Sequence, residues 1–191
     1  MRKLSQQTHL ASVTDQLTGL YNLQYFGIRL EEELNRAWRF NHSLSLLLVD
    51  FDDFSAVNER YGRFVGDEVL RRFARCCLLG ILRTTDMAAR YGGDEFAVLL
   101  TGTDAQGAVR ITQRIQELVQ QGIPLSTGKF LNIGVSIGVA TFPNDGATRK
   151  GLLQLAEARL NEAKRGKGRG RPSSRSFPWP RDIFQSERVS M

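Results

Sequence analysis

Seven consecutive residues, Arg90-Tyr91-Gly92-Gly93-Asp94-Glu95-Phe96, join two apolar segments through two glycines and two carboxylates. A glycine turn lets backbone approach a ligand closely, because no Cβ intervenes. Gly92-Gly93 also suits the φ > 0 of a two-residue hairpin turn between strands at residues 87–91 and 96–100. Such a turn holds Asp94 and Glu95 beside it. Adjacent carboxylates repel unless a cation or a proton lies between them. A hard divalent ion with oxygen ligands, Mg²⁺ above all, is the partner this chemistry asks for. From these seven residues alone, a solvated hairpin carrying two surface acids is the alternative.

A second acidic cluster adds weight to the metal. Residues 44–49 (LSLLLV) are too few to span a membrane and have the length of a buried strand. They end in Asp50-Phe51-Asp52-Asp53. Carboxylates at the end of a buried strand can hold an ion, although Asp is also an ordinary strand terminator. Asn58, Gly62, Gly66 and Asp67 follow. Asn58 offers both donor and acceptor, while Asp67 only accepts, which suits the N1–H and exocyclic amine of a guanine. By itself Asp67 reads as the N-cap or first turn of the helix after it.

The elements that must position these residues alternate between helix and strand. Asn22 is an N-cap for a helix to about residue 40, and Gly66-Asp67 opens another to about residue 82. Residues 105–121 form a third helix, with Val109, Ile111, Ile115, Leu118 and Val119 largely on one face. Residues 129–133 and 135–141 are strand-like, broken afterwards by Pro143 and Asn144-Asp145-Gly146. Residues 150–165 form the last helix. The pattern is that of an α/β domain, a central sheet flanked by helices. No internal repeat is visible.

A chain of 191 residues with 41% hydrophobic content can bury a real core. It has no apolar run long enough for a membrane helix and its first residues do not read as a signal peptide, so a cytoplasmic location is expected, with tethering by a region outside this chain left open. Cys76 and Cys77 are adjacent and read as reduced thiols rather than a disulfide or metal site. Residues 164–191 hold 8 basic and 2 acidic residues, while the remainder balances at 18 and 18. The basic excess therefore belongs to the C-terminal segment. Its GKGRGRPSSR stretch has a disordered composition and reads as a solvated extension that could touch nucleic acid or anionic lipid. The neutral remainder gives no reason to expect specific nucleic-acid binding.

Taken together, these residues resemble the GGDEF domain of diguanylate cyclases. Asp15-Gln16-Leu17-Thr18-Gly19-Leu20-Tyr21-Asn22 is similar to the family's D-x-L-T-G-L-x-N entry motif. Asp50, Asp52, Phe54, Asn58, Gly62, Gly66 and Asp67 match its D-x-D-x-F block, and Gly92 to Phe96 is the signature unaltered. Val135-Ser136-Ile137-Gly138-Val139-Ala140 matches a further strand, and residues 156–164 resemble the closing helix. The resemblance covers residues 10–170 or so. It implies a mostly antiparallel five-stranded sheet, related to the polymerase palm and to nucleotide cyclases. The expected domains are a stalk end at 1–12, a catalytic domain at 13–168 and a basic tail at 169–191.

The resemblance further implies that two GTP molecules are joined into cyclic di-GMP, releasing two pyrophosphates. Two divalent ions, Mg²⁺ or Mn²⁺, would be held by the Asp50 and Glu95 side chains and the Phe51 carbonyl. Asp94 would be a further ligand or activate the 3′-hydroxyl, so Asp94 and Glu95 are the catalytic pair. Asn58 and Asp67 would read guanine, Gly92 and Gly93 would line the substrate, and Lys164 with Lys167 or Arg169 would hold phosphates. Arg83-Thr84-Thr85-Asp86 and Arg114 match a product-inhibition site for cyclic di-GMP; the alternative is a helix-end ion pair. The family usually carries Lys and His where this chain has Ser55 and Arg63. Catalysis would need a homodimer, and residues 1–12 resemble the end of a stalk that joins a missing or fused N-terminal sensory domain. The alternatives are a catalytically silent receptor for cyclic di-GMP and a GTP-binding regulatory module.

Overall fold

Asn22 ends a two-residue strand, β1 (Tyr21–Asn22), and caps helix α1 (Leu23–Phe40), its side-chain oxygen accepting from the Tyr25 amide at 2.9 Å. Asn41, left-handed at φ 52°, stops the helix and turns the chain into β2 (Leu44–Asp52). Helices α2 (Phe54–Tyr61) and α3 (Arg63–Arg72) follow, then a π-helical segment (Phe73–Leu79). Strands β3 (Met87–Arg90) and β4 (Glu95–Thr101) flank the Gly92-Gly93 turn. Helix α4 (Ala105–Gln120), a small hairpin of β5 (Ile123–Pro124) and β6 (Phe130–Leu131), strand β7 (Gly134–Phe142) and helix α5 (Arg149–Gly166) complete the order. The computed structural model describes residues 13–167; the expectations for 1–12 and 169–191 lie outside them. No helix among the described residues is long and apolar enough to cross a membrane.

The main sheet has five strands in the order β1-β3-β4-β2-β7, antiparallel except where β1 runs parallel to β3. Strand β2 lies between β4 and β7, buried along nearly its whole length, and its side chains feed two cores alternately. Leu47, Val49 and Phe51 join Phe96, Val98, Ile137, Phe73 and Ile115 on one face. Leu44, Leu46 and Leu48 join Ala97, Leu99, Phe142, Leu30 and Leu160 on the other, beneath α1 and α5. Asp50 and Asp52 continue the second series, so both carboxylates emerge on the face that α5 covers. Phe51 points the other way into an aromatic cluster with Phe54, Phe73 and Phe96, which floors the end of the sheet.

The structure departs from the sequence expectations at several points. The helix expected from Gly66 starts at Arg63 and regular α-helix stops at Arg72. Asp67 is therefore inside the helix and not its N-cap, which is Gly62 at φ 83°. Val109 is half exposed on α4, while Ile115 and Val119 carry that helix's burial. The strand expected at 129–133 shrinks to Phe130–Leu131, and it pairs with β5 outside the main sheet.

Candidate active site

Strand register assembles the acidic centre. Asp50 lies directly across from Glu95 on β4 and from Ser136 on β7. Directly opposed residues project to the same face within side-chain reach. Neither glycine of the Gly92-Gly93 turn takes the expected positive φ. The connection runs from Tyr91 to Asp94, with Tyr91 N and Gly92 N both donating to the Glu95 carbonyl at 2.8 and 3.1 Å. It is a wider loop than a two-residue hairpin. Glycine at 92 leaves room for something else: a Cβ there would overlap the Glu95 carboxylate as placed, and that side chain would have to shift.

One open cleft is lined by Asp50, Phe51, Asn58, Asp67, Gly92, Gly93, Asp94, Glu95, Lys164 and Lys167. The residues expected at the substrate and metal site, Arg169 apart, thus meet there, from β2, the α2–α3 elbow, the β3–β4 loop, the start of β4 and the end of α5. Ser55 and Arg63 line it too. In the elbow, a Cβ on Gly66 would overlap Asn58 Oδ1, so the glycine lets α3 close on the Asn58 amide. Asn58 and Asp67 both line the cleft from this elbow.

Charge in the cleft is tightly confined. Asp50 is only 5% exposed, and burial pushes its carboxyl up to about 6, with Asp94 and Asp52 adding repulsion and Lys164 opposing it. Burial also raises Glu95 to about 7, reinforced by the charges of Asp50 and Asp94 and opposed by Lys164. Lys164 Nζ lies 2.7 Å from Asp50 Oδ2, and Lys167 Nζ lies 2.9 Å from Asp52 Oδ2. Among the described residues no three acidic side chains converge as a ready-made metal cage. The donors nevertheless fit a hard divalent ion: all are oxygens, and Mg²⁺ is commonly held by one or two carboxylates plus substrate phosphates.

These shifts have a measurable sign. Asp50 and Glu95 keep protons in the fold above the pH near 4 where an unfolded chain releases them. The stability this gives is complete below about pH 4 and is lost as pH rises through about 6 and about 7. A bound cation replaces the proton. Melting curves at pH 5 and pH 8 should therefore show Mg²⁺ raising the midpoint more at pH 8. An equal shift at both would mean the ion binds elsewhere.

Residues without an assigned role also shape the cleft. Arg90 donates to the Gly93 carbonyl at 2.7 Å and pairs with Asp15 at 3.2 Å, tying the turn to the chain before β1. Asp52 accepts from Ser136 Oγ at 2.6 Å. Period-two alternation from Asp50 was the available signal for Asp52; Arg90 offered only its place beside the glycines. Arg83, Asp86 and Arg114 lie outside the cleft lining. The expected alternative of an Arg83–Asp86 ion pair is not what forms: Asp86 Oδ2 accepts from the Arg83 backbone amide at 3.0 Å. The Asp86 carboxylate thus braces a turn that presents an exposed Arg83. Arg114 pairs with Glu117 on α4 at 3.3 Å, and no hydrogen bond or ion pair among the described residues joins it to that turn. Arg169 lies outside the described residues.

Comparison with known proteins agrees in family and fold. The family described as diguanylate cyclase, GGDEF domain, matches residues 12–170. The response regulator PleD of Caulobacter vibrioides is 39% identical over 156 residues, covering 80% of this chain and 34% of PleD. Diguanylate cyclase A of Treponema denticola is 34% identical over 171 residues, 87% of this chain and 46% of that protein. The chain thus spans less than half the length of either curated relative. Among solved structures, the GGDEF domain of YfiN (or TpbB) from Pseudomonas aeruginosa superposes with a TM-score of 0.75 at 37% identity, covering 78% of this chain and 92% of that one. The coiled coil and GGDEF domain of DgcB from Caulobacter crescentus, in complex with c-di-GMP, gives 0.78 at 28% identity, covering 86% and 87%.

Proposed function

This chain belongs to the GGDEF family of diguanylate cyclases, and from that premise we propose that it condenses two GTP into cyclic di-GMP with release of two pyrophosphates. The observation that carries the proposal is the single cleft in which Asp50, Glu95, Asn58, Asp67, Lys164 and Lys167 meet. Divalent ions, when bound, neutralise the triphosphate and favour deprotonation of the attacking 3′-hydroxyl. Asp50, Glu95 and the Phe51 carbonyl hold them, and Asp94 is a further ligand or takes the hydroxyl proton. Asn58 and Asp67 read the guanine edge. The glycine turn lets phosphate approach backbone, and the two lysines steady the terminal phosphates. Ser55 withholds one cation that relatives use, a loss of about 1.5–3 kcal/mol if that contact is charge-assisted. This weakens GTP binding or slows turnover without removing the metal ligands.

Each domain supplies one GTP, so the active species is a homodimer acting in the cytoplasm, with a sensory region as its input. Cyclic di-GMP binding at Arg83, Asp86 and Arg114 provides negative feedback, since the planar arginine fork suits phosphate and guanine edges. The test is GTP turnover with Mg²⁺ over a series of protein concentrations. A specific rate that rises with concentration supports the proposal. No product, in a sample that still binds cyclic di-GMP, would make the chain a receptor instead. Asp67→Ala should cut the preference for GTP over ATP roughly tenfold or more, read from kcat/KM for each nucleotide. Arg83→Ala should keep initial turnover and lose product inhibition; an unchanged inhibition curve would remove that site.

A further inference from the structure

Both lysines at the end of α5 already hold partners, but they do so differently. Lys167 donates to Asp52 at 2.9 Å and to the Val135 carbonyl at 2.5 Å, and Ser136 fixes Asp52 from the other side. Its anchor does not involve Asp50 or Glu95. Lys164 is paired with Asp50 itself, at 2.7 Å, with side chains only 16% and 7% exposed. A pair so shielded from water is screened little, and separating it without a replacement for either charge is costly.

We propose that Lys164 is a built-in counter-cation, seated on Asp50 while the cleft is empty and released to the nucleotide's terminal phosphates when a divalent ion takes Asp50. The proposal rests on the cyclase reading of the cleft. Its consequence is coupling between ligands. A divalent ion arriving alone must displace the Lys164 ammonium from the carboxylate it is paired with. A nucleotide arriving alone finds Lys164 already neutralised. The metal–nucleotide complex brings a cation for Asp50 and an anion for Lys164 together, so each ligand strengthens the other by the same factor. Lys167 stays on Asp52 and the Val135 carbonyl as the fixed member of the pair.

Electron paramagnetic resonance of Mn²⁺ tests this on the full chain without turnover. The parent, Lys164→Gln and Lys164→Arg are compared, first with Mn²⁺ alone, then with Mn²⁺ and a GTP analogue whose α–β bridge is a methylene. Lys164→Gln should bind Mn²⁺ alone roughly tenfold tighter or more, because the competing charge is gone. The same variant should bind the analogue roughly tenfold more weakly. Lys164→Arg, which keeps the cation, should stay near the parent with Mn²⁺ alone. Opposite signs in one variant cannot come from general damage to the fold. If Lys164→Gln leaves Mn²⁺ affinity unchanged or weaker, the counter-cation role is overturned. Tighter Mn²⁺ binding with unchanged analogue affinity would overturn the release to phosphate. Asp50→Asn serves as the control on the cyclase reading: if it leaves Mn²⁺–analogue binding intact, the metal site itself is misassigned, whatever Lys164 does.

Discussion

Glu95→Gln is expected to lose cyclic di-GMP formation by about a thousandfold or more while melting no lower than the parent chain. The two halves of that result have one cause. Glu95 is a half-buried carboxylate facing Asp50 and Asp94, and its environment already resists ionisation, pushing it to about 7. Glutamine has nearly the same shape, so the close packing of the Gly92 backbone against this side chain is preserved. What disappears is a charge the fold tolerates only for its chemistry, a trade of activity against stability common at active sites. At pH 8 the variant should melt at or above the parent in metal-free buffer. The Mg²⁺-induced rise in midpoint should shrink at the same time. Asp50→Asn should give the same loss of product but melt below the parent, because it leaves the shielded Lys164 ammonium without its partner. A Glu95→Gln protein that is folded and still makes product within tenfold of the parent rate would remove Glu95 from the metal site.

The acidic residues of this site were legible because they are local in sequence and sit at strand ends, where a short apolar run announces its own termination. Helix α1 was legible for a similar reason: Asn22 carries a capping side chain, and the cap hydrogen bond forms. The start of α3 was not, because its N-cap is Gly62, whose contribution is a backbone angle with no side-chain hydrogen bond to advertise it. Strand β1 is two residues long and pairs in parallel with β3, too short for any periodicity to register. A turn does fall at Gly92-Gly93, but it is a wider loop than the two-residue hairpin the dipeptide suggests. Glycine there answers to the Glu95 side chain rather than to a positive φ. The contacts that join distant segments lay furthest from view. Arg90 with Asp15, Lys164 with Asp50 and Lys167 with Asp52 depend on how sheet and helices stack, which no local pattern encodes.

Gly138→Ala tests that stacking directly and should be the most destabilising single methyl in the chain's central sheet. Gly138 lies on β7 opposite Leu48, on the face that α5 covers. A Cβ at this position would overlap the Ala156 carbonyl oxygen and the Leu160 amide nitrogen, and would stand 2.8 Å from Leu160 Cβ. Two of these are backbone atoms in the middle of a helix, so no rotamer change relieves them. Strand preference alone favours alanine over glycine by about 0.5–1 kcal/mol. Overpacking against rigid backbone costs about 3 kcal/mol or more, so the clash wins. Helix α5 must lift from the sheet, and the lysines at its end move with it. The expected outcome is a melting midpoint lowered by several degrees. In whatever fraction stays folded, GTP affinity should fall with it, since Lys164 and Lys167 no longer reach the cleft. A control at Gly93, where an added Cβ meets nothing within 4 Å, should leave the midpoint unchanged. If Gly138→Ala melts with the parent, α5 does not rest on β7 as closely as described, and the placement of both lysines over Asp50 and Asp52 falls with it.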